Sequence, residues 1–84
     1  MKSINIKDYD IHMGKLIDVR HPLDYEKNHD SRSINIYADK LLSNHSKYLN
    51  KKDRYYIICS KGHLSKKVVR VLSFFGYNVT QVKY

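Results

Sequence analysis

Tyr55, Tyr56, Ile57 and Ile58 form four consecutive large or β-branched residues, set between Arg54 and a polar, glycine-containing loop. Such a run is too short for a helix with those flanks and reads as a strand, the strongest in the chain, over 54–59. Weaker runs of the same kind occur at 15–19 and 33–36, the β-formers at 79–84 give a fourth strand, and 3–6 adds an edge strand. Between them the apolar period changes. Ala38, Leu41, Leu42, His45, Tyr48 and Leu49 share one face of a helix over 38–49. Residues 65–75 give a second helix, with Gly76 placed to end it, and Pro22 opens a short third helix over 22–27. Strands that alternate with helices need crossover connections. The expected fold is therefore α/β, a small parallel sheet of four to five strands with helices on both faces.

The chain has 84 residues, enough for one domain with a modest core. A single cysteine excludes an intramolecular disulfide, and the start "MKSINIKDYD" lacks the apolar run of a signal peptide. No stretch is long enough to span a membrane. These features together predict a cytoplasmic protein with no membrane partner. Sixteen Lys and Arg against eight Asp and Glu give a formal net charge of +8. That excess raises nucleic acid as a partner, since counterion release rewards any basic face that meets phosphate. The cations are scattered, however, and the densest group, Lys66, Lys67 and Arg70, directly follows the cysteine loop. Its position suits a small anion better than a nucleic acid.

In open parallel sheets ligands collect beyond the carboxyl ends of the strands, which is where Cys59 falls. A lone cysteine in a small domain is more often an inert core residue. The segment that follows, Ser60, Lys61, Gly62, His63, Leu64 and Ser65, points the other way, because it leads straight into an amphipathic helix. A loop closing on a helix N-terminus aims several main-chain N–H groups at one point, backed by a partial positive charge. Gly62 lets the backbone curl there. A thiolate held in such a bowl is stabilised and becomes a usable nucleophile near neutral pH. Lys61 and His63 add positive potential at the rim, and Ser65 suits an N-cap.

"CSKGHLS" resembles the active-site loop of single-domain rhodanese-like sulfurtransferases, Cys-x-x-Gly-x-x-Ser. "LIDVRHPLDYEKNHDSRSINI" (16–36) is similar to a second stretch of that family, which Asp18, Val19, Arg20, Tyr25, His29, Asn35 and Ile36 match. "GYNV" (76–79) resembles the turn into the family's last strand. The likeness covers residues 16–82 in the correct order, within one domain over 1–84. Asn28, Asp30, Arg32 and Ser33 stand where the family has Gly, Ile, Gly and Ala, so the turn before "INI" is expected to be rebuilt. The chain reaches Tyr84 without the usual Gly-Gly and closing helix, so its C-terminal end reads as truncated.

The resemblance implies an enzyme in which Cys59 carries a persulfide and the N–H groups of residues 60–65 hold the transferred sulfur. The donor would be a small sulfur-containing anion such as thiosulfate, or a persulfide. The acceptor would be a thiol or a sulfur-carrier protein, with no cofactor and no metal. Asp18 and Arg20 read as structural support at a strand end, with Arg20 meeting Asp24. Two rivals stand beside this reading. Cysteine phosphatases use Cys-x5-Arg, and the corresponding residue here is Ser65, which disfavours phosphate-ester chemistry. Rhodanese-like domains also act as catalytically silent binding modules, usually where the cysteine is missing. Cys59 and His63 lack the further ligands that a metal needs, and His45 reads as a satisfied packing residue.

Overall fold

The computed structural model describes residues 1–84. Five parallel strands form one sheet: β1 (Ser3–Asn5), β2 (Lys15–Asp18), β3 (Ser33–Asn35), β4 (Arg54–Ile58) and β5 (Asn78–Lys83). Their spatial order is β1-β5-β4-β2-β3. The α-helices are α1 (Pro22–Lys27), α2 (Ala38–Ser43), α3 (His45–Tyr48) and α4 (His63–Phe74). The expected α/β parallel sheet is thus present with all five strands, each ending within a residue or two of the reading from periodicity. No helix is long and apolar enough to cross a membrane.

The central strand explains the order. Tyr55, Tyr56, Ile57 and Ile58 are all buried, so β4 needs cover on both faces and neighbours on both edges. β2 and β5 supply the edges. One face packs Ile17, Tyr55, Ile57 and Val79 against Ala38 and Leu41 of α2 and Val68, Val69 and Leu72 of α4. The other face gathers Leu16, Tyr56, Ile58 and Val82 beneath Tyr9, from a segment of two single-turn 3-10 helices at Ile6–Asp8 and Ile11–Met13. Gly14 lets that segment rejoin the sheet, because a Cβ there would sit 2.4 Å from the Arg54 carbonyl oxygen.

Two boundaries differ from the periodicity reading for physical reasons. The single helix expected over 38–49 is two short ones. At Asn44 the backbone leaves helical geometry (φ −135°, ψ 35°), and both its main-chain N–H and its side-chain amide donate to the Lys40 carbonyl. An Asn that hydrogen-bonds locally competes with the helix, which apolar spacing alone does not register. The second helix starts at His63, not at 65, so Ser65 is its third residue rather than its N-cap. Gly62 takes the cap position at φ 85°, in the left-handed region that favours glycine.

The turn before β3 is held by Asp30 and Arg32, two of the residues that depart from the family pattern. Arg32 donates to both Asp30 carboxylate oxygens and to the Tyr9 carbonyl, and its guanidinium lies 5.0 Å above the Tyr9 ring. The hydrogen bonds from Arg32 hold the Asp30 carboxyl at about 2, below its ordinary value. Because the folded value is the lower one, this pair's contribution is complete above about pH 4 and is lost as pH falls toward 2. Thermal unfolding of wild type and Asp30→Asn tests this. At neutral pH the variant should melt a few degrees lower, and the gap should close between pH 4 and 2. A gap independent of pH would mean that the pair adds no charge-dependent stability.

Candidate active site

The chain reverses winding direction between β2 and β4. From β2 it proceeds through α1 to β3 on one side, and from β4 through α4 to β5 on the other. Beyond the carboxyl ends of these two strands lies the crevice that such a reversal opens. Asp18 ends β2 and is paired with Ile58, so the segment Asp18–Arg20 and the loop after Cys59 face each other across it.

Cys59 is 5% exposed, with its side chain on the α4 face of the sheet. Its Sγ accepts a hydrogen bond from the Ser65 main-chain N–H at 3.1 Å. The main-chain N–H groups of residues 60–64 donate to no other protein atom. Ser60, Lys61 and His63 are exposed, Leu64 is half-buried against the main core, and Ser65 is fully buried. The result is a row of free donors on a tight turn at the start of a twelve-residue helix, beside a thiol. Such a row favours an anion over the thiol. The cleft at this point is about 240 Å³ and is lined by Cys59, Ser60, Lys61, Gly62, Val82, Lys83 and Tyr84. A wider cleft of about 540 Å³ lies at the opposite end of the sheet around His12, Lys15 and Arg54, far from the thiol.

Asp18 and Arg20 brace the β2 side. Asp18 is 1% exposed, and Arg20 donates to it from its main-chain N–H, Nε and Nη2 at 2.9–3.1 Å. Those bonds raise the Arg20 guanidinium above its ordinary value. Nη2 also donates to the Asn28 carbonyl, and Nη1 reaches Ser60 Oγ at 3.5 Å. Arg20 is therefore committed to Asp18 and Asn28, and the expected pairing with Asp24 is not formed. Asn35 completes the brace by donating to the carbonyls of Asp18 and Arg20.

Sequence reasoning missed two residues here. Gln81 of β5 is 2% exposed, and its Nε2 donates to the Gly62 carbonyl at 2.8 Å and to Ser65 Oγ at 3.1 Å. It ties the turn and the third helical residue to the sheet, which fixes the N–H that meets Cys59. The only signal in the sequence was a long polar side chain among Val79, Thr80 and Val82. Tyr84 was the other. It lines the thiol cleft and also a neighbouring cleft of about 420 Å³ shared with Arg20, His29 and Ser60. Partial burial there, reinforced by the Asp18 carboxylate, raises its phenol above the ordinary value.

Residues 3–84 match the rhodanese-like domain family. The chain belongs to that family. Solved structures agree with the assignment. A rhodanese-related protein of Thermoplasma volcanium is 32% identical, with a TM-score of 0.87 over 99% of this chain and 84% of that one. A rhodanese-like domain protein of Staphylococcus aureus is 25% identical, with a TM-score of 0.81 over 99% and 85%. A rhodanese with anions from E. coli is 28% identical, with a TM-score of 0.70 over 81% of each chain. No curated protein matches the chain by sequence. The family includes sulfurtransferases, and this rhodanese-like domain has a single cysteine.

Proposed function

We propose that this rhodanese-like domain is a sulfurtransferase that carries sulfur as a persulfide on Cys59. The observation that carries the reading is the thiol beside five unengaged N–H groups on the Gly62 turn. The Cys59 thiolate attacks the outer sulfur of a donor such as thiosulfate. The donor S–S bond breaks, sulfite leaves with the electron pair, and a Cys59 persulfide remains. The turn's N–H groups stabilise the negative terminal sulfur as an oxyanion hole stabilises oxygen. An acceptor nucleophile then takes that sulfur and returns Cys59 as thiolate, so one hard step becomes two easier ones. Lys61 and Lys83 at the rim favour an anionic donor. No cofactor enters this scheme.

Phosphate-ester chemistry is less well supported, because the position of the phosphatase arginine holds Ser65, which is buried and bonded to Gly62 and Gln81. A silent binding module draws support from the near-complete burial of Cys59. Intact-mass measurement after incubation with thiosulfate separates the readings. Sulfur transfer requires a gain of about 32 Da, one sulfur atom, that dithiothreitol removes. An unchanged mass with thiosulfate and with a small-molecule persulfide would leave the domain a binding module.

A further inference from the structure

The charge of this chain is divided unevenly. All eight Asp and Glu lie within residues 1–53, together with ten of the cations. Residues 54–84 hold six cations and no carboxylate, and so supply six of the eight net positive charges. None of those six takes part in an ion pair; the three pairs in the structure involve His12, Arg20 and Arg32. Three of the six, Lys66, Lys67 and Arg70, sit together on α4. The solvent face of α4 presents His63, Lys66, Lys67, Arg70, Ser73 and Phe74, all exposed. Spacings of four, three and four residues from His63 through Lys67 and Arg70 to Phe74 set these on one stripe.

The stripe begins at His63, the residue after Gly62 of the thiol cleft, and ends on an apolar tip. Phe74 is 85% exposed, the most exposed large hydrophobic residue of the chain. Its ring meets Phe75 edge-on at 5.7 Å, and Phe75 stacks on His45, which in turn bonds the Tyr77 hydroxyl. The aromatic tip therefore rests on an ordered stack. The distance along the helix from His63 to Phe74 is about 16 Å at 1.5 Å per residue. A standard interface of about 800 Å² per partner is roughly 30 Å across, so one partner covers both ends.

We infer that the outer face of α4 is the docking surface for an acidic protein that exchanges sulfur with Cys59. This rests on the proposed sulfurtransferase function and names the chemistry of its macromolecular partner. Carboxylates of the partner face Lys66, Lys67 and Arg70, an apolar side chain meets Phe74, and a thiol at the near edge enters the cleft. Cations that lack partners within their own chain suit steering more than folding, and an aromatic at the end of a charged stripe suits an anchor. In the transfer step the partner thiolate attacks the terminal sulfur of the Cys59 persulfide. The S–S bond breaks, Cys59 departs as thiolate, and the partner holds the persulfide. A nucleic acid would meet the charge equally well but brings no thiol to the cleft.

The test uses two synthetic peptides, each with one cysteine and a phenylalanine, one with a run of glutamates between them and the other with glutamines. With persulfidated wild type, the glutamate peptide should accept sulfur about tenfold faster at low salt, and the advantage should vanish near 0.5 M salt. Lys66→Gln/Arg70→Gln should remove most of that advantage without changing the glutamine-peptide rate. Phe74→Ser should slow both peptides about threefold. Equal rates for the two peptides, or a double variant that behaves as wild type, would overturn the inference. Amide chemical-shift mapping on Cys59→Ser makes the outcome independent of catalysis. Glutamate-peptide shifts along α4 without any persulfide chemistry would uphold the surface and sink only the sulfurtransferase reading. Tighter binding of a single-stranded oligonucleotide of equal charge would assign the face to nucleic acid instead.

Discussion

Cys59→Ser is expected to fold as wild type does and to lose thiosulfate:cyanide sulfur transfer by at least about a thousandfold, down to the rate without protein. The fold should survive because a serine Oγ can accept the Ser65 N–H that now meets Sγ at 3.1 Å. The activity should not, since no other thiol exists to hold the intermediate. A hydroxyl is far less acidic than a thiol and cannot form the S–S bond on which the second step depends. Circular dichroism with the cyanide assay checks both halves. Appreciable transfer by the serine variant above background would sink the persulfide mechanism, whatever the wild-type rate.

The largest stability effect should come from Arg20→Leu, at about 3 kcal/mol. The energetic reason is an asymmetry. Asp18 is almost wholly buried and accepts all of its side-chain hydrogen bonds from Arg20, so removing the guanidinium leaves a buried carboxylate with a single main-chain N–H and no opposite charge. Asp18→Asn alone should cost less, because the Arg20 side chain is 14% exposed and can turn toward water. The double variant should be more stable than the sum of the two predicts, since neither unpaired charge remains. For a domain of this size, about 3 kcal/mol lowers the melting temperature by roughly 12–24 °C. Additive losses in urea titrations would show that the pair is only a surface contact.

The parts of this fold that could be read from sequence were those whose cause is local. A run such as Tyr55–Ile58 carries its own period, and Gly76 and Pro22 signal their places by backbone chemistry. The position of Cys59 at the end of β4, before a glycine turn and a helix, followed from the same kind of pattern. What escaped depends on contacts across the chain. Gln81 acts on Gly62 and Ser65 from another strand, and nothing adjacent to it in sequence marks that role. Arg32 likewise reaches Tyr9, from a turn where the family pattern offers no cation. Asn44 breaks a helix whose apolar spacing continues undisturbed. Its effect comes from hydrogen bonds, which periodicity does not count.

The position of β5 inside the sheet, between β1 and β4, governs the order in which a ribosome can deliver a working site. β1 precedes every other strand in the chain, yet its only partner is β5, in register from Ser3 with Gln81 to Asn5 with Lys83. The two are separated by nearly the whole chain, the kind of distant pairing that slows folding. Until residues 78–83 have left the exit tunnel, β1 has no ladder, β4 has one bare edge, and the Gly62 turn lacks the amide that fixes it. Gln81 follows Cys59 in the chain, so a polypeptide made only as far as the thiol loop lacks the side chain that holds the Gly62 turn in place. The ring of donors around the thiol is therefore completed only when β5 has joined the sheet.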